Sequence, residues 1–163
     1  MTKKDHEESG LSKSVWSDAD LEEMGWHDAT VHALFLQPGE MASRLLLDLD
    51  YPVRWVPPVR RRDPFTFWVA PATLVFEEVW DLEGSLDFKG LAPELELDGI
   101  HRLAPPDGRA EYPLWHLEGH AFELKFRASG FRQYFRQAPR HVAGPMLEYA
   151  DRGGCAFTEV GFD

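Results

Sequence analysis

From Ala29 to Gln137, apolar side chains recur at every second position in short runs broken by Pro, Gly and Asp clusters. A two-residue period is the repeat of a β-strand, whose successive side chains point to opposite faces. The clearest run is Ser43 to Tyr51: Leu45, Leu47, Leu49 and Tyr51 project one way, Arg44, Asp48 and Asp50 the other. That pattern predicts a half-buried strand, with Leu46 the one apolar residue on the wet face. Residues 29–36 (ATVHALFL) precede it across Gln37-Pro38-Gly39-Glu40. Pro then Gly suits the central positions of a type II turn, so the two runs should form a hairpin.

Residues 65–79 (FTFWVAPATLVFEEV) are apolar on both faces, which predicts a strand covered on both sides, with a bulge, edge or bend at Ala70-Pro71. Residues 83–88 and 95–103 read as further strands, and Ala104-Pro105-Pro106-Asp107-Gly108 as a turn. Trp115 and Leu117 are inward by parity, but so are Phe122, Leu124 and Phe126, so parity breaks at Gly119 through a tight turn or glycine bulge. Ser129-Gly130 reads as a turn, returning residues 131–137 as a hairpin partner. Ser17 or Asp18 caps one short helix that Gly25 ends.

The fold class is therefore mainly β, with α+β as the alternative: an antiparallel sandwich, barrel or strongly curved meander of about eight strands with one short N-terminal helix. The absence of a strand–helix–strand rhythm disfavours doubly wound and TIM-barrel architectures. Residues 1–14 read as a disordered tail, 15–138 as a single β-rich domain, and 139–163 as an irregular tail with a final strand at 155–160 (CAFTEV).

A chain of 163 residues is long enough to bury a core, and aromatics are plentiful at 13%. One cysteine, Cys155, rules out an internal disulfide and a zinc site built on several thiolates. The polar N-terminus and the lack of a long apolar run predict a cytoplasmic protein with no membrane contact. Net charge is −11, which excludes general nucleic-acid binding, since that needs a basic footprint. The charge is uneven: residues 1–50 carry −7, 51–63 carry +3, 64–123 carry −9 and 124–163 carry +2.

No Walker lysine, nucleophile elbow, H-E-x-x-H or EF-hand loop occurs. No catalytic residue and no cofactor are assigned, and the reading leans away from an enzyme. Two constellations remain. His27, Asp28 and His32, with Asp48 and Asp50 on the partner strand, have the donor types of a divalent-metal site, although His27 and His32 differ in strand parity. The acids Asp48, Asp50, Glu77, Glu78, Glu94, Glu96 and Asp98 could instead meet a basic partner. Arg60, Arg61 and Arg62, with Trp55 and Trp68, have the composition of an interface hot spot.

Four tracts, WHDATVHAL (26–34), LDLDYPVRW (47–55), FWVAPATLVFEEV (67–79) and ASGFRQYFR (128–136), resemble an uncharacterised family of small bacterial cytoplasmic proteins. The W-H-D-A opening followed by a β-rich body is similar in style to immunity proteins of polymorphic-toxin systems. The resemblance implies no catalytic residues. The expected function is a non-enzymatic acidic binding protein, an immunity-type inhibitor of a basic toxin. The alternative is a small-ligand-binding or metal-dependent β-protein using His27, Asp28, Asp48 and Asp50. An exposed edge strand would also permit a homodimer.

Overall fold

The computed structural model describes residues 8–90, 94–109 and 111–163. Its strands are β1 (Val15–Ser17), β2 (Ala29–Gln37), β3 (Ser43–Val56), β4 (Thr66–Leu86), β5 (Leu95–Leu103), β6 (Leu114–Gly119), β7 (Phe122–Arg127), β8 (Gly130–Phe135) and β9 (Arg140–Val142). All pair antiparallel in one sheet of order β1-β8-β4-β3-β2-β5-β6-β7. β7 pairs again with β4, so β4-β3-β2-β5-β6-β7 closes on itself. The mainly β, antiparallel expectation holds. The short helix is a 3₁₀ turn over Asp18–Glu23, capped by the Ser17 hydroxyl on the Ala19 N–H and by the Asp20 carboxylate on the Ser17 N–H.

Alternation places the core as expected. Leu45, Leu47, Leu49 and Tyr51 of β3 meet Leu74 and Phe76 of β4, Trp115 and Leu117 of β6, and Phe122, Leu124 and Phe126 of β7. Phe76 packs against Trp115, Phe126 and Phe131 with ring centroids 5.4, 4.8 and 5.6 Å away. Each such fully buried side chain contributes about 1.5–3 kcal/mol by leaving water. The parity switch at Gly119 is a tight turn joining β6 to β7. A Cβ on Gly119 would lie 2.6 Å from the Glu96 carbonyl oxygen.

Several expectations are corrected. Residues 65–79 and 83–88 are one strand, β4, and Pro71 does not bend it. Along one edge β4 pairs with β9 through Val69 and with β8 from Ala72, so Pro71, which has no N–H to give, falls in the gap between neighbours. The bend comes later, where Glu78 and Asp81 take left-handed φ of 53° and 54° and the β7 register slips. β7 and β8 are not a hairpin: both run along the same edge of β4, Trp80 facing Arg127 and Glu77 facing Gly130. Ser129 donates its N–H to the Glu77 carbonyl at 3.0 Å, keeping the ladder through the break, so Ser129-Gly130 is a kink rather than a reversal. Gly39 is not left-handed; it is required because a Cβ there would meet the Ala42 carbonyl oxygen at 2.2 Å.

Both tails differ from expectation. Leu11, within the segment read as disordered, is buried against the core; residues 1–7 lie outside the described part. The C-terminal segment has its strand at Arg140–Val142 rather than at 155–160. It crosses the outer face of the sheet and buries Leu147 against Phe67 and Val69. β4 is thus covered on both faces, as its apolar pattern required.

Candidate functional site

The C-terminal segment decides what the outer face of β3 can do. Asp48 and Asp50 are fully buried, not wet as alternation predicted. Arg152, also buried, donates Nη2 to Asp48 Oδ1 at 2.7 Å, Nη1 to Asp48 Oδ2 at 2.9 Å, and Nε to Asp50 Oδ1 at 3.1 Å. Arg136 donates to Asp48 Oδ1 at 2.6 Å, and the Ala156 N–H to Oδ2 at 3.1 Å. Asp50 Oδ2 accepts the Leu147 N–H at 2.9 Å and lies 2.9 Å from His32 Nε2. Thr73 accepts from Arg136 at 2.8 Å and donates to the Thr158 carbonyl at 2.9 Å. Burial alone would push the Asp48 carboxyl up, but hydrogen bonds from Arg152 and Arg136 overcome it and hold the group below its ordinary range. These two acids are occupied in fastening residues 147–156 to the sheet.

Two predicted constellations are therefore redistributed. The metal-site set divides: His32, Asp48 and Asp50 belong to this arginine network, while His27 and Asp28 stand with Asp98 at the start of β2. Among the described residues no group of three or more His, Cys, Asp or Glu is arranged to hold a metal ion. In the partner-binding set, Asp48 and Asp50 leave the surface, and Trp68 stacks on His141 at 5.1 Å on the outer face. Arg60, Arg61 and Arg62 remain exposed in the β3–β4 loop, and Glu94 is exposed before β5.

What the fold brings together instead is a rim cluster. Antiparallel pairing sets Thr30 opposite Glu96, which carries Asp28 next to the start of β5. The β6–β7 turn swings His120 over the same spot, with Nε2 2.8 Å from Asp98 and Nδ1 3.8 Å from Glu96. His27 Nδ1 lies 3.9 Å from Asp98 and its Nε2 3.8 Å from Asp28. Among the described residues, the basic side chains within 4 Å of these three carboxylates are imidazoles. Partial burial, then the charge and hydrogen bond of Asp28, push the Glu96 carboxyl above its ordinary range. Beside the cluster, the His27 ring stacks on Trp55 at 5.6 Å with an interplanar angle of 10°, and Phe65 meets Trp55 edge-on at 6.0 Å. Trp55 and Phe65 keep 39% and 46% of their surface in water, enough to present an aromatic face.

Sequence reasoning set His27 with Asp28, Glu96 with Asp98, and Trp55 with the arginine loop, but did not join the three groups, because the β2–β5 pairing skips two intervening strands. It missed His120 in this cluster, and it missed Arg136 and Arg152 altogether. A signal existed: Asp48 and Asp50 share a face with apolar Leu46, and acids beneath a cover demand buried cations. No family model, curated protein or solved structure matches the chain.

Proposed function

We propose that the protein is a non-enzymatic acidic docking module whose partner is a basic protein, and that its specific form is an immunity-type inhibitor capping a basic toxin. The observation that carries this reading is the rim cluster: Asp28, Glu96 and Asp98 crowd together, their basic neighbours among the described residues being imidazoles, next to half-exposed Trp55 and Phe65. Partial burial, with the neighbouring charges of Asp28 and Asp98, makes ionised Glu96 costly to the folded state and holds its carboxyl above the ordinary range. A lysine or arginine from a partner would relieve that cost on binding. The neighbouring aromatic face supplies the apolar anchor on which interface hot spots are built. A net charge of −11 would draw such a partner in by long-range attraction.

The test is capture of host proteins on immobilised wild type and on Asp28→Asn/Asp98→Asn, with salt elution, together with co-expression of adjacent reading frames for rescue from toxicity. The reading expects a basic protein retained at low salt, released at high salt, and bound more weakly by the double variant and by Trp55→Ala. Retention that ignores both salt and these substitutions would refute it, as would the lack of any specific partner.

A further inference from the structure

At the other end of β2 from the rim lies an open groove of about 720 Å³, beneath the β2–β3 loop. Met41 and Arg44 line it on one side, Glu77, Glu78 and Trp80 of the β4 bend on another, and Tyr112 closes it. Its construction follows from the bend. Left-handed φ at Glu78 and Asp81 turns β4 from β8 onto β7 and sets Trp80 against Tyr112, ring centroids 6.2 Å apart. Arg127, behind, lies 5.3 Å from the Trp80 ring and gives its charge to Asp107 in a two-pronged pair of 3.1 and 2.9 Å.

The groove is apolar at its base and acidic at its edge. Arg44 is the lining cation, and Glu77 and Glu159 both hold it: Glu77 takes its Nε and Nη2 within 3.1 Å, and Glu159 its Nη1 and Nη2. One guanidinium therefore faces two carboxylates, and the exposed Glu78 adds a third. Met41 is 97% exposed among the described residues, so the loop offers a flexible apolar side chain to solvent. An indole and a phenol in a lining where Glu77 and Glu78 outnumber the single cation, Arg44, suit a side chain that is apolar along its stem and cationic at its tip.

We propose that this groove is a second docking site, taking an arginine or lysine side chain from an exposed segment of a basic protein, its stem against Met41, Trp80 and Tyr112 and its charge toward Glu78 and Glu77. The site is independent of the rim cluster and stands on different residues.

The experiment is a titration of the whole ¹⁵N-labelled protein with an (Arg-Gly)₄ peptide at low salt, following the indole N–H signals of Trp80 in the groove and Trp55 at the rim. The control is the same peptide with citrulline for arginine, which keeps shape and removes charge. The expected result is a saturable shift of Trp80 that citrulline abolishes and that Glu78→Gln weakens about three- to tenfold, while the response of Trp55 to the peptide is the same in Glu78→Gln as in wild type. A second variant, Met41→Ser, exposed and away from the core, should also weaken binding. A Trp80 signal that does not move, moves equally with citrulline, or ignores Glu78→Gln overturns the proposal. So does a Trp80 response to tetramethylammonium but not to the peptide, which would make the groove a small-cation pocket. A shift confined to Trp55 overturns the groove and leaves the rim reading standing; a shift confined to Trp80 does the reverse.

Discussion

Replacing Arg152 by Met removes the guanidinium but keeps most of the stem that fills its buried place. Three hydrogen bonds to Asp48 and Asp50 are lost, as well as that to the Gly154 carbonyl. Asp48 keeps Arg136 and the Ala156 N–H, and Asp50 keeps the Leu147 N–H and His32, so neither acid is wholly abandoned. Even so, two fully buried carboxylates then share less positive charge than they were built around. Removing one partner of a buried ion pair costs about 3–5 kcal/mol. Against a typical domain stability of about 5–15 kcal/mol, that is a large fraction. In a chain of 163 residues it should lower the melting temperature by about 6–20 °C. Urea unfolding monitored by tryptophan fluorescence gives the free energy directly. A cycle with Asp50→Asn should return a coupling of about 1–3 kcal/mol. The acid limb carries a second signature. Because the folded Asp48 carboxyl lies below its ordinary value, its contribution is fully present above the unfolded pKa of about 4 and is lost as pH falls through the folded one. Arg152→Met should therefore flatten the loss of stability on acidification. A cost under about 1 kcal/mol with an unchanged acid limb would refute the idea that this network fastens the C-terminal segment.

The remaining predictions follow from single contacts. Glu96→Gln should stabilise the protein at neutral pH by roughly 0.2–1 kcal/mol. The folded carboxyl lies above its ordinary value, so the wild type loses stability as pH rises past the unfolded pKa, and the glutamine does not; the gap between their urea midpoints should close below about pH 4. Gly84→Ala should destabilise by about 1–3 kcal/mol in thermal melts, because the new Cβ would sit 2.1 Å from the Glu123 backbone oxygen in the β4–β7 ladder. Trp26→Phe removes the 2.8 Å bond from the indole N–H to buried Gln133 and should lower urea stability by about 1–3 kcal/mol.

Strand identity was legible wherever one face met the core. The alternation of Leu45, Leu47, Leu49 and Tyr51, and the parity switch at Gly119, both state which side chains leave water. The same rule misplaced Asp48 and Asp50, because alternation separates two faces but does not say that the second is wet. The apolar Leu46 on that face, and the doubly apolar run from Phe67 to Val79, were the traces of a cover. A turn residue likewise marks a break without its direction: Ser129-Gly130 could reverse the chain or only kink it, and the edge of β4 decided for the kink.

Local chemistry alone determined that this chain makes antiparallel strands with a greasy interior, since period and turn residues act over a few positions. Which charges meet was decided by pairings between residues far apart in sequence, such as Arg152 with Asp48 and His120 with Asp98. Electrostatic partnership depends on distance in space, and only the closing of the sheet and the crossing of the C-terminal segment set those distances.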